Sequence, residues 1–190
     1  LAAAIQRGRR GRVVGITGSN GKTSVKQLAL AIASRAMRAH ANPGNRNNEI
    51  GLPLSVIEAP DDVDVAIYEM GAGKRDDIAY LTSIARPHVA LVNNVAPAHL
   101  ERMQSLMGIA ETKGAIYEAL PHDGTAVINA DDAFAPYFAG RAQGRRIIRF
   151  GLEASADVTA REVECGDGES RFTLAMPGAS IGGRLPLPGR

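Results

Sequence analysis

The chain has 190 residues, 45% hydrophobic and 22% charged, with a formal net charge of +2. That suits one well-packed domain of ordinary globular composition. It lacks the broad basic surface that nucleic acid demands and any apolar run of the roughly 18 residues a membrane helix needs. The single cysteine, Cys165, excludes an internal disulfide and points to a reducing cytoplasm. A monomer is expected. The first residue is Leu1 and the last stretch is the Pro/Gly-rich run to Arg190, which reads as a piece of a longer protein.

Residues 1–12, with Arg7, Arg9, Arg10 and Arg12, read as a solvated lead-in. Val13 to Thr17 is a short apolar run and predicts a buried strand. It enters the turn Gly18-Ser19-Asn20-Gly21-Lys22-Thr23-Ser24. From Lys22 to Arg38 the apolar residues Val25, Leu28, Ala29, Ile32, Ala33 and Ala36 recur at helical spacing. Strand, glycine loop and helix in that order make a phosphate site, because glycines let backbone N–H groups converge and the helix N-terminus adds partial positive charge. Lys22 would supply charge to the β- and γ-phosphates of ATP, and Thr23 a hydroxyl to Mg²⁺. The run departs from G-x-x-x-x-G-K-[ST] at its first glycine, where Ile16 stands.

The polar stretch from His40 to Gly51 reads as a loop, and Leu52 to Ile57 as a short helix. Val63 to Met70 predicts a second strand ending at Glu69, followed by a helix from about Asp76 to Ala85 that Pro87 stops. Val89 to Val95 predicts a third strand, Ser105 to Leu120 an amphipathic helix, and Thr125 to Asn129 another strand. Asp131 and Asp132 read as caps of a short helix toward Phe138, before a strand from Arg146 to Phe150. Strands alternating with helices over 13–150 predict a mainly parallel sheet flanked by helices, an α/β fold. Over 151–190 the alternating runs Val158 to Val163, Ser170 to Met176 and Ile181 to Leu187 predict a small antiparallel β-extension.

Mg²⁺ needs oxygen ligands from outside the loop. Glu69, at the end of its strand, lies where binding residues collect in a parallel sheet. His99 also follows a strand, and Lys113 sits on a helix; from spacing alone both read as ordinary structural or solvated residues.

Several stretches together resemble the Mur ligases, the ATP-dependent amide-forming enzymes of peptidoglycan precursor synthesis. They are residues 18–24, Asn-Arg-Asn-Asn-Glu-Ile-Gly-Leu-Pro-Leu (45–54), Glu-Met-Gly-Ala (69–72), Asn-Asn-Val-Ala-Pro-Ala-His-Leu-Glu (93–101), Thr-Lys-Gly (112–114) and Asn-Ala-Asp-Asp (129–132). The loop without its first glycine is that family's own variant. The resemblance implies the central ATPase domain of a three-domain enzyme, with the UDP-sugar domain and the amine-binding domain outside this chain. Residues 47–54 and 98–101 are most similar to the branch that joins D-Ala-D-Ala to UDP-MurNAc-tripeptide. A ligase adding another residue, or a folylpolyglutamate or cyanophycin synthetase, shares the core; an ATPase without ligation is the rival of another class.

Further roles follow from the resemblance. Gly18, Ser19, Asn20, Gly21, Lys22, Thr23 and Ser24 would hold the ATP phosphates, with Thr23 and Glu69 on one Mg²⁺. His99 would help hold a second Mg²⁺, beside a Lys113 carbamylated by CO₂. Asn129 and Asp131 match the region near the adenine, and Asn47 and Asn48 the loop facing the nucleotide-sugar substrate. One departure is Ala115, where the family usually has a glutamate for which Glu111 or Glu118 could substitute. The atypical run Gly73-Lys74-Arg75 leaves the role of Lys74 open.

Overall fold

The structure, a computed structural model, describes residues 1–97, 105–166 and 168–186. Its central sheet has six strands, all parallel, in the order β2-β3-β1-β4-β5-β6. These are β1 (Arg12–Thr17), β2 (Ala39–Ala41), β3 (Val65–Glu69), β4 (Val89–Val92), β5 (Thr125–Asn129) and β6 (Arg146–Phe150). From β1 the chain runs outward to β2, returns to β3, then crosses to β4 on the other side of β1. Such a reversal opens a crevice at the carboxyl ends of the strands, the usual ligand side of an open α/β sheet. A separate three-stranded antiparallel sheet contains β7 (Thr159–Gly166), β8 (Glu169–Met176) and β9 (Ala179–Leu185). The α/β class and the β-extension both match the expectation.

Helix α2 (Lys22–Ala33) packs on one face of the sheet, where Val25, Ala29, Leu30 and Ala33 meet Ile16, Val65 and Ile67. The opposite face carries the larger core. There Leu52 and Val56 of α3 (Gly51–Glu58), Ile78 and Leu81 of α4 (Asp77–Ala85), Ile116 and Tyr117 of α5 (Leu106–Glu118) and Phe138 of α6 (Ala135–Arg141) are buried together. The Ser105 hydroxyl accepts a 3.0 Å bond from Gly108 N and caps α5. The Tyr117 hydroxyl accepts from Val92 N at 3.0 Å and donates to Val127 O at 2.8 Å, so α5 is pinned to β4 and β5.

Four local expectations are corrected. The lead-in is largely the helix α1 (Ala2–Gly8), and its neighbour Arg9, with a side chain only 5% exposed, donates to Val56 O and Ala59 O at the end of α3. A buried guanidinium satisfying the last carbonyls of a helix is a cap that a charge count cannot see. The stretch from His40 is not all loop, since Ala39–Ala41 pairs with β3; three residues are too few for alternation to register. Helix α2 ends at Ala33 rather than Arg38, whose side chain instead pairs with Asp62 and Asp64 as the chain turns into β2. Asp131 caps no helix: its carboxylate accepts from the backbone N–H of Leu152, Glu153 and Ala154. Asp132 alone serves the start of the short helix, accepting from Phe134 N at 2.8 Å.

Candidate functional site

The turn after β1 is shaped by what lies behind it. Ile16 stands where the general motif has its first glycine; in β1 it is a 1%-exposed core residue under α2, so the tight turn begins only at Gly18. Gly21 has φ +74°, and a Cβ there would come 2.8 Å from Asn93 Nδ2; at Gly18 a Cβ would come 3.0 Å from Asn93 Cβ. The loop thus leans directly on the end of β4, and side chains at either position would push it off. Asn93 Nδ2 donates to Asn20 O at 2.9 Å, Asn94 Oδ1 accepts from Asn20 N at 2.9 Å, and Ser19 N donates to Asn94 O at 3.0 Å. The Ser19 hydroxyl bridges Ala96 N and Ala96 O, both at 3.0 Å. A loop with this many external bonds is preorganised rather than shaped by its ligand.

Lys22 opens α2 and bends back over the loop, donating to Gly18 O at 2.9 Å and Ser19 O at 3.1 Å. Burial lowers its pKa, and the Glu69 carboxylate opposes that shift. Thr23 Oγ1 donates to Glu69 Oε2 at 2.9 Å, so two predicted Mg²⁺ ligands from β3 and α2 stand side by side. Glu69 is 2% exposed, and its other oxygen accepts from Asn47 Nδ2 at 2.8 Å. Ser24 follows in the first turn of α2 and is exposed.

One residue here escaped the sequence reading. Lys26, fully buried, has its Nζ 3.4 Å from Glu69 Oε2 and donates to Asn42 O at 2.9 Å and Gly44 O at 2.8 Å. Asn42 clasps the backbone of Glu69, accepting from its N–H at 2.8 Å and donating to its carbonyl at 3.1 Å. The available signal was a lysine set in the apolar stripe of a core-facing helix, between Val25 and Ala29, in a chain with only four lysines.

Beside Glu69 a cleft of about 370 Å³ is lined by Lys22, Asn47, Asn48, Glu49, Gly71 and Lys74, among others. Asn48 Oδ1 accepts from Gly51 N at 2.7 Å and Ile50 N at 3.2 Å, fixing the loop to the start of α3. Lys74 is 70% exposed, 3.9 Å from Asp77 Oδ1.

On the other flank, α5 brings Lys113 into the interior, 4% exposed. Burial, and secondarily the Lys22 ammonium, lowers its pKa to about 8. Among the described residues no carboxylate pairs with it. Glu111 and Glu118, the candidates to replace the glutamate missing at Ala115, instead face Arg75 and Arg141. Asn129 Nδ2 donates to Asn93 O at 2.9 Å, and its Oδ1 accepts from Asp131 N at 3.0 Å, so it buttresses the wall behind the loop. His99 lies outside the described residues. The structure therefore brings Lys22, Thr23, Glu69 and Asn47 into one site, with Lys113 close enough to feel the Lys22 charge.

Compared with known proteins, residues 16–190 match the Mur ligase middle domain. This chain belongs to the Mur ligase family. Among its relatives, the UDP-N-acetylmuramoyl-tripeptide–D-alanyl-D-alanine ligase of Escherichia coli (strain K12) is 40% identical over 191 residues, covering 100% of this chain and 42% of that protein. A crystal structure of MurF from Acinetobacter baumannii superposes with a TM-score of 0.95 at 32% identity, again over 100% of this chain and 42% of the other. MurF ligase from Thermotoga maritima, solved in complex with ADP, gives a TM-score of 0.87 at 30% identity over 96% of this chain and 42% of the other. The Mur ligase middle domain here thus spans about two fifths of the length of such relatives. Among its described residues no helix is long and apolar enough to cross a membrane.

Proposed function

We propose that this chain is the ATP-binding portion of an enzyme that joins D-Ala-D-Ala to UDP-MurNAc-tripeptide, forming ADP and phosphate. The observation that carries it is the 2.9 Å approach of Thr23 Oγ1 to Glu69 Oε2 beneath a loop whose lysine lines the same cleft as Asn47 and Asn48. The names of the relatives support the substrate pair.

In this reading the terminal carboxylate of the tripeptide attacks the γ-phosphorus of ATP, and ADP departs. The amine of D-Ala-D-Ala then attacks the resulting acyl phosphate; phosphate leaves, the amine loses its proton, and the amide remains. Two anions must meet in the first step, so positive charge and alignment dominate the catalysis. Lys22 offers its ammonium at the loop mouth, and the α2 N-terminus adds its partial charge. Hard oxygen donors are what Mg²⁺ selects, and Thr23 Oγ1 with Glu69 Oε2 supplies them. Mg²⁺ held there would offset charge on the phosphates. His99 and a modified Lys113 would serve a second ion.

Lys113 fits that modification chemically. A pKa of about 8 leaves part of its amine neutral near pH 7. The neutral nitrogen attacks the carbon of CO₂, forms an N–C bond and releases a proton, leaving a carbamate. The product replaces a buried cation beside Lys22 with an anion, which removes the repulsion. Asn47 and Asn48 would meet the nucleotide sugar, and Asn129 and Asp131 would border the adenine.

The test uses the full-length enzyme with ATP, UDP-MurNAc-tripeptide and D-Ala-D-Ala. Ligation with the dipeptide, and at least a ~100-fold loss of ATP affinity in Lys22→Ala by calorimetry, is expected. Unchanged nucleotide binding would sink the loop assignment; ligation only with a different amine would move the enzyme to a sibling activity.

A further inference from the structure

Lys26 has a polar partner for each of its donors, and all of them lie in or beside the site. An ammonium has three N–H groups to satisfy, and here they meet a carboxylate from β3 and two carbonyls, Asn42 O and Gly44 O, from the segment after β2. Glu69 is the common centre. Its Oε2 faces Thr23 and Lys26, its Oε1 faces Asn47, and its backbone N–H and C=O are both taken by Asn42. Asn42 Nδ2 also donates to Arg46 O at 2.8 Å, and Asn47 O accepts from Gly71 N at 2.8 Å. The segment 42–47 is therefore folded around one carboxylate, and its continuation, Asn47 to Glu49, lines the cleft.

We propose that Lys26 is a positioning residue that couples the nucleotide loop to the substrate cleft, by tying the carboxylate beside Thr23 to the backbone of segment 42–47. The inference rests on the site reading given above. A ligand drawing on Thr23 and Glu69 from the nucleotide side changes what Oε2 faces. Lys26 transmits any such shift to Asn42 O and Gly44 O, because it is buried and has no alternative solvent partner. Asn47, bonded to the other carboxylate oxygen, receives the same displacement. Two ligands that bias one shared element change each other's affinity by the same factor.

The full-length enzyme allows a direct measurement: calorimetric titration of UDP-MurNAc-tripeptide with and without saturating Mg²⁺·ADP. Wild type should bind the tripeptide about tenfold more tightly with nucleotide present, within the usual range of coupling between sites. In Lys26→Met, a near-isosteric neutral variant, that factor should fall below about twofold. Mg²⁺·ADP itself should bind better than it does in Lys22→Ala. Asn47→Ala cuts the chain at its other end with the buried ion pair intact, and should lose the coupling too, so the idea stays testable if Lys26→Met fails to fold. A Lys26→Met enzyme with a lower melting temperature and full coupling would make Lys26 a merely structural lysine and overturn the proposal, as would absence of coupling in wild type. Failure of wild type to bind Mg²⁺·ADP at all would instead overturn the nucleotide-site reading.

Discussion

Two lysines are buried on opposite flanks of the phosphate loop, and their surroundings differ completely. Lys26 has a carboxylate at 3.4 Å and two carbonyls within 2.9 Å. Lys113 has no carboxylate partner among the described residues, and burial next to the Lys22 charge lowers its pKa to about 8. A buried charge with partners stiffens what surrounds it; a buried charge without one is driven toward its neutral form. The first arrangement suits positioning. The second leaves a nucleophilic amine, which is what the proposed carbamate requires.

The contrast can be broken from either side. Glu69→Ala removes the partner of Lys26 and leaves an unpaired buried ammonium, so thermal unfolding should register a loss of about 3–5 kcal/mol. A loss below about 1 kcal/mol would mean that the two carbonyls suffice. Lys113→Met should act with the opposite sign, stabilising the protein by about 1–3 kcal/mol at pH 7, since a buried charge with no carboxylate partner among the described residues gives way to an apolar chain of similar length. The full-length Lys113→Ala enzyme should lose ligation yet recover part of it with short carboxylates; full activity without them would eliminate the carbamate. The smallest effect is in the pH profile. The pKa of Lys113 is lower folded than unfolded, so between about 8 and 10.5 the unfolded chain binds more protons and stability rises with pH. Wild type should gain about 1 kcal/mol relative to Lys113→Met between pH 8 and 9; parallel profiles would show an ordinary lysine.

How far the chain could be read without its structure differs from element to element. The run from Val13 to Lys22 was legible because a strand, a loop with glycine at two required positions and a helix start are all local features. Glu69 was legible as a strand-end acid. Helix α1 and strand β2 were not, since Arg9 reads as a surface charge until its carbonyl partners on α3 are known, and Ala39–Ala41 exists only by pairing with β3. Asp131 looked like a helix cap because that role is local, whereas the amides it serves lie about twenty residues on. Within the site, Asn93 and Asn94 stood in a recognised motif without revealing that they brace the loop. Lys26 stood in an apolar stripe without revealing its partner, 43 residues away by number.

The sequence by itself determined the α/β class, the phosphate loop and its lysine, and through its motifs the family resemblance, because each depends on residues close along the chain. The tertiary structure alone decided which charges are paired. Strand order places β3 beside β1, which brings Glu69 to Thr23 and Lys26; packing of α5 on the sheet leaves Lys113 buried with no carboxylate partner among the described residues. Pairing and burial are sums over segments far apart in sequence, and no local pattern of residue types contains them.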